Sequence, residues 1–246
     1  MWIKEPEEKL TESLNETVNF LYKENNIYIM DNHLAAGWSW LNEINPTNSH
    51  YFLHIDRHYD LLDSPTSVKK EIIDNEVDLK NLTFQQYLDL RQTGNNGDTW
   101  PLFRWDNYII NLQLVYPDLY DETFFATFKD GNTNEEFVKN EMDFLEMANG
   151  LEYLIKEAKT DKGWIINLDI DYFFNHVNDN RIQIFSDDFI VHLSKSLKKI
   201  LNDVKVLTIC LSPECCGGWN NALRITNIIC EVLEIDFNNE LNKIVK

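Results

Sequence analysis

The sequence predicts an α/β fold, a three-layer α/β/α arrangement around a mainly parallel sheet, and three observations carry that prediction. Short apolar runs alternate with longer amphipathic ones along the 246 residues. Two runs, GWIINLDI (163–170) and KVLTICL (205–211), are apolar without alternation, as expected for strands covered on both faces. Four runs end in polar clusters, and the carboxyl ends of strands are where open parallel sheets gather their function.

The elements follow in order. Residues 6–24 read as a helix with Leu10, Leu14, Val18 and Leu21 on one stripe. They predict a helical N-terminal extension over 1–25 on a single domain spanning 1–246. NIYIM (26–30) is a strand that runs into Asp31-Asn32-His33, and 35–44 reads as a helix. HYFLHI (50–55) is a strand leading into Asp56-Arg57-His58-Tyr59-Asp60. Residues 83–92 read as a helix with Thr83 near its cap, and 93–100, TGNNGDTW, as a loop. Helical patterns cover 105–116 and 135–158, with a strand at TFFATF (123–128) between them. The strand at 163–170 runs into Asp169-Ile170-Asp171. An amphipathic helix at 186–204 follows, with Ser186 as N-cap. The strand at 205–211 runs into Ser212-Pro213-Glu214, and 219–233 forms a last helix.

Composition narrows the function. There are 41 acidic against 22 basic side chains, a formal charge of −19, which argues against a nucleic-acid binder. That charge suits a cationic substrate or metal ions. Eight glycines and no phosphate-binding glycine motif weaken a nucleotide-binding reading. No apolar run reaches the roughly 20 residues of a membrane span. The charged start MWIKEPEEKL lacks a secretory core. The four cysteines show no C-x-x-C spacing, so a cytoplasmic protein with reduced thiols is expected.

The chemistry concentrates at the strand ends. In an extended chain, Asp56, His58 and Asp60 share one face, and Asp169 and Asp171 repeat the spacing. Hard carboxylate oxygens with imidazoles suit Mn²⁺, Fe²⁺ or Zn²⁺. Burying two aspartates after an apolar strand is costly unless cations compensate them. With His33 from a third strand end, the set suffices for two divalent ions. His54 precedes Asp56 by two, so it shares that face and is a candidate proton shuttle or hydrogen-bond partner of a ligand. His176 is a weaker candidate, and His50 and His192 read as surface or helix-face residues. The aromatics Trp100, Phe103, Trp105 and Tyr108 read as core or as the wall of a peptide groove.

In this order, His33, Asp56-x-His58-x-Asp60, Asp169-x-Asp171 and Glu214 resemble the ureohydrolases, the arginase and agmatinase superfamily. The separations of 23, 113 and 45 residues suit that layout. The local wording, HIDRHYD (54–60), LDIDYFF (168–174) and LSPE (211–214), resembles more closely an arginase-like branch that includes peptide arginases. The resemblance spans 27–218 and is carried by four short motifs. It implies an arginase/deacetylase-like fold and two Mn²⁺ ions bridged by Asp56 and Asp169. His33 and Asp60 would complete one ion, and His58 and Asp171 the other. It further implies a metal-activated water, Asp60 passing a proton to the departing amine, and Glu214 pairing with the guanidinium.

The substrate implied is an arginine-containing precursor peptide, converted to ornithine and urea during maturation of a ribosomally made peptide. Two departures bear on this. No histidine lies between His58 and His176, where free-arginine arginases carry one, and the residues that grip a free amino acid's α-groups are not recognisable. Both fit arginine held in a peptide, and both also fit a degenerate site. The alternatives are a small-guanidine ureohydrolase, a deacetylase-like amidohydrolase, or an inactive metal-binding relative.

Overall fold

The computed structural model describes residues 1–246 except 95, 159–161 and 179. Among the described residues, eight strands form one sheet: β1 (Trp2–Lys4), β2 (Leu21–Glu24), β3 (Ile27–Met30), β4 (His50–Ile55), β5 (Tyr120–Ala126), β6 (Asn140–Glu141), β7 (Trp164–Asp169) and β8 (Val204–Cys210). Their spatial order is β1-β2-β3-β8-β7-β4-β5-β6. The pairs from β3 through β6 are all parallel, and β1 and β2 add an antiparallel edge. Five helices of eight residues or more cover the faces: α1 (Ala36–Glu43), α2 (Tyr108–Val115), α3 (Phe144–Glu157), α4 (Asp187–Ile200) and α5 (Trp219–Leu233).

The period of two along each strand sorts side chains between two cores. Ile27, Ile29, Ile166, Leu168, Leu207 and Ile209 point to the face that α3, α4 and α5 cover. Tyr28, Met30, Phe52, Ile165 and Val206 point to the face that α1, α2 and the 61–103 segment cover. The result is the expected three-layer α/β/α arrangement. Burial on both faces is why GWIINLDI and KVLTICL show no alternation. Helix starts follow their caps: Ser186 Oγ accepts from the Phe189 amide, and Asp143 with Glu146 forms a capping box on α3. No helix among the described residues is long and apolar enough to cross a membrane.

The N-terminal expectation is overturned. Residues 6–24 form no helix; an irregular segment leads into β2, which pairs with β3. The supposed apolar stripe is split: Leu21 and Val18 are buried, whereas Leu14 is 47% exposed. The Asp31 carboxylate takes the amides of Asn19 and Phe20, supplying from a side chain what a helix would supply from its carbonyls. Two other helical readings are shortened. Residues 83–92 hold only one short helix, Phe84–Leu88, started by a Thr83–Gln86 capping box, before an antiparallel hairpin of Arg91–Thr93 with Thr99–Pro101. The 135–158 helix begins only at Phe144, because β6 claims the edge beside β5. His50 is also not a surface residue; it is buried, with Nδ1 2.7 Å from the Lys162 carbonyl.

Candidate metal centre

Four adjacent strands, β3, β8, β7 and β4, end at one level, with Met30 beside Cys210, Cys210 beside Asp169, and Leu168 beside Ile55. The residues that follow them therefore meet at one point on the carboxyl edge of the sheet. His33 opens a short 3₁₀ turn capped by the Asn32 side chain. The Asp56–Asp60 stretch is not the extended row that its spacing predicts. β4 stops at Ile55, and the chain folds so that the His58 amide donates to Asp56 Oδ1 at 2.6 Å. Asp60 then adopts φ +54°. That left-handed conformation costs a non-glycine residue roughly 1–2 kcal/mol and turns the chain sharply within the ligand loop. Asp169 caps the next turn, accepting from the Asp171 amide at 2.8 Å.

These turns bring all six predicted ligands together. His33 Nδ1 lies 3.2 Å from Asp60 Oδ2, 3.3 Å from Asp169 Oδ2 and 3.5 Å from Asp56 Oδ2. His58 Nδ1 lies 3.2 Å from Asp171 Oδ2 and 3.4 Å from Asp56 Oδ1. Two sets are compact enough to hold an ion each: His33, Asp56 and Asp60, and Asp56, His58 and Asp171. Asp56 belongs to both, as a bridging ligand must. A third set, His33, Asp169 and Cys210, places a thiol beside the centre.

Electrostatics shows what the cluster lacks. Burial raises the Asp60 and Asp169 carboxyls well above the ordinary carboxylate range. Asp56 is pushed up to about 7 by burial and by the charges of Asp171 and Asp60. Burial also acts to raise Asp171, but the close approach and charge of the His58 imidazole outweigh it and hold that carboxyl below its usual value. His58 correspondingly rises to about 12: burial acts to lower it, and Asp171 and Asp56 prevail. Oδ2 of Asp56 and Oδ2 of Asp171 are buried and have no hydrogen-bond partner among the described residues. Buried acceptors without donors are costly, and divalent cations would satisfy both oxygens and the clustered charge. The donor set, oxygen and imidazole, fits such ions.

Glu214 lies at the same cavity, about 370 Å³ in volume, which His33, His58, Asp60, Asp169 and Asp171 also line. The Ser13 amide donates to its Oε1 at 2.7 Å, and its Oε2 has no hydrogen-bond partner among the described residues. Ser212, at φ +37°, donates to Asp169 Oδ2 at 2.5 Å. His54 is elsewhere. It is fully buried beneath the ligands and does not line the cavity. Its Nε2 donates to the His58 carbonyl at 3.1 Å, and its Nδ1 lies 3.0 Å from Asn167 Nδ2. Burial pushes its pKa well below the ordinary value, with the His33 charge adding to the effect, so it is neutral and its nitrogens are engaged. That arrangement positions the His58 loop and sets Nε2 3.5 Å from Asp56 Oδ2, so His54 lies against a candidate ligand from beneath the cavity. His176 lies on a hairpin beside the centre, and His192 Nε2 bonds the Ala148 carbonyl.

Three neighbours escape a reading by motif. The Asn167 amide nitrogen lies 3.4 Å from His33 Nε2 and 3.2 Å from the Tyr108 hydroxyl, and its Oδ1 accepts from Thr208 at 2.7 Å. Its one signal is a lone amide inside an apolar strand, where a polar group needs partners. Cys210 is visible only through strand register beside Asp169. Ser13 reaches the site by a contact 201 positions long, for which the sequence holds no sign. Of the aromatics, Trp105 lines the cavity, whereas Phe103 and Tyr108 are buried in the core.

Fold and site together define an α/β chain with a candidate binuclear metal centre at the carboxyl edge of its parallel sheet. Solved structures similar to it include an arginase of Entamoeba histolytica in complex with L-ornithine (12% identity, 86% of this chain and 71% of that one, TM-score 0.46). An arginase of Bacillus cereus matches at 11% identity over 85% of this chain and 70% of its own, with a TM-score of 0.48. Proclavaminate amidino hydrolase from Streptomyces clavuligerus matches at 13% identity over 84% and 62%, with a TM-score of 0.46. No protein-family model and no curated protein matches the chain.

Proposed function

We propose that this chain is a Mn²⁺-dependent peptide arginase, acting in the cytoplasm on an arginine-containing precursor peptide to give ornithine and urea. The observation that carries the reading is the pair of ion-sized sets sharing Asp56, beside a glutamate with one unpaired oxygen on the same cavity. His33, Asp56, Asp60 and Asp169 would hold one ion, and Asp56, His58, Asp171 and Asp169 the other. Bound there, two divalent ions would supply Lewis acidity and lower the pKa of a water near the guanidinium carbon.

The protein's own groups do the rest. Glu214 Oε2 accepts guanidinium N–H donors, while the Ser13 amide occupies Oε1. Asp60, which lines the cavity beside His33, is the group to deliver a proton to the departing nitrogen. Asn167 and His54 fix the orientation of the ligands above them. The acidic cavity and the chain's excess of carboxylates favour a cationic side chain.

The test is to supply Mn²⁺ and arginine-containing peptides, and to follow urea together with the loss of one CH₂N₂ unit from the peptide mass. Two ions per chain with no mass change on any peptide, but urea from a free guanidine, would move the function to a small-molecule ureohydrolase. No bound metal and no urea would leave only an inactive relative.

A further inference from the structure

The antiparallel hairpin Phe174–Val177 and Asn180–Gln183 is clamped against the centre from two sides. On one side, Arg57 Nη1 donates to the Phe174 carbonyl at 3.2 Å and to Asn175 Oδ1 at 2.8 Å. On the other, Gly217 sits at φ +82°, where a Cβ would come within 3.0 Å of Arg181 Cβ, so the hairpin packs directly on the loop that carries Glu214. Arg57 spends its charge on Asp130 at 2.6 Å. Arg181 does not: half-buried, it makes no ion pair among the described residues.

Two side clefts open around it. One, about 480 Å³, is lined by Arg181, His176, Asn180 and Gly217 together with Glu214. The other, about 190 Å³, is lined by Arg181 with His58 and Cys215, which also border the metal cavity. Arg181 thus stands where both clefts meet the site, sharing the larger cleft with Glu214, in a chain of charge −19. A long, unpaired arginine held there is placed to accept a planar anion bidentately. Holding a cation next to a site that must attract a cation is unfavourable unless the ligand carries an anion as well.

We propose that Arg181 is the core of a carboxylate-binding subsite, so that the ligand presents a guanidinium to Glu214 and a carboxylate to Arg181. This rests on the guanidine-hydrolase reading above. The carboxylate could come from an acidic residue next to the target arginine or from the α-carboxyl of arginine itself, and the chemistry of capture is the same.

The experiment compares two matched pairs on the Mn²⁺-loaded full chain: a peptide with Arg-Glu against the same peptide with Arg-Gln, and arginine against arginine amide. The carboxylate-bearing member of at least one pair should be favoured about tenfold in kcat/KM, the worth of one charge-assisted pair. The pair that responds identifies the source. Arg181→Gln should collapse that ratio to near one, and Arg181→Glu should shift preference toward an Arg-Lys peptide. Urea release with equal rates in both pairs, or a ratio that survives Arg181→Gln, overturns the subsite alone. No urea from any of the four substrates overturns the guanidine-hydrolase reading and the subsite with it.

Discussion

The backbone amide of Ser13 donates to Oε1 of Glu214 at 2.7 Å, joining the N-terminal segment to the loop after the last central strand. The same segment is held from below by Asp31, which binds Asn19 and Phe20, and by Asn32, whose Nδ2 donates to the Thr17 carbonyl at 3.1 Å. A stretch that looks peripheral in the sequence therefore orients the glutamate proposed to read the guanidinium. Ser13→Pro removes that N–H. We expect KM to rise about tenfold, the worth of one hydrogen bond to a charged group, with metal content unchanged. An unchanged KM would mean that Glu214 is oriented without its amide partner.

Asp56 belongs to both ion-sized sets, so it should matter more than a ligand of one set. Asp56→Asn keeps shape but removes the shared charge. Metal content measured by elemental analysis should fall by at least half, and urea release by at least about a hundredfold, while the far-ultraviolet circular dichroism stays native. A variant that retains two ions and activity would sink the bridging assignment.

Asn167 and His54 make no contact with the cavity, yet their hydrogen bonds reach His33 and the His58 carbonyl. Asn167→Leu should weaken metal affinity about 10–100-fold in a chelator competition, the usual cost of losing a group that orients a ligand. If only the melting temperature falls and the affinity holds, Asn167 is a core hydrogen-bond hub with no bearing on the metals.

The raised carboxyl of Asp56 sets a pH dependence. Its folded value, about 7, lies above the ordinary aspartate value of about 3.9, so the folded metal-free chain holds a proton there that the unfolded chain has released. That contribution to stability is complete below about pH 4 and is lost as pH rises through 7. Burial-lowered His33 and His54 act oppositely, gaining stability toward pH 6.5. The Asp56 share is therefore isolated with Asp56→Asn, which should make the fall in metal-free melting temperature between pH 4 and 7 shallower. In the unmodified chain, added Mn²⁺ should stabilise more at pH 7 than at pH 5, because metal and proton compete for the same oxygens. A stabilisation independent of pH would place the ions elsewhere.

Much of the site was legible because it follows strands. The apolar runs at 26–30, 50–55, 163–170 and 205–211 fall on β3, β4, β7 and β8 with small shifts at their ends, and the six His and Asp residues after them meet as spacing suggested. The mechanism of that meeting was not legible. An extended row was expected at Asp56–Asp60, whereas a folded loop with Asp60 at φ +54° does the work. The stripe at 6–24 misled for a related reason: an apolar residue every three or four positions also arises where buried and exposed residues alternate irregularly along a loop.

The sequence by itself determined the layering of this protein and the identity and order of the His and Asp side chains that meet at its candidate metal centre. Both are written in local patterns, burial on two faces and polar residues at strand ends, that need no knowledge of distant partners. Only the tertiary structure decided that His54 lies beneath the candidate ligands and outside the cavity, that Asn167 and Cys210 stand beside the centre, that Ser13 holds Glu214, and that Arg181 has no ion pair among the described residues at its rim. Each of these is set by which strands are neighbours and how the loops fold back over them. A residue gains or loses a partner 40 or 200 positions away through that packing, and its local sequence does not change when it does.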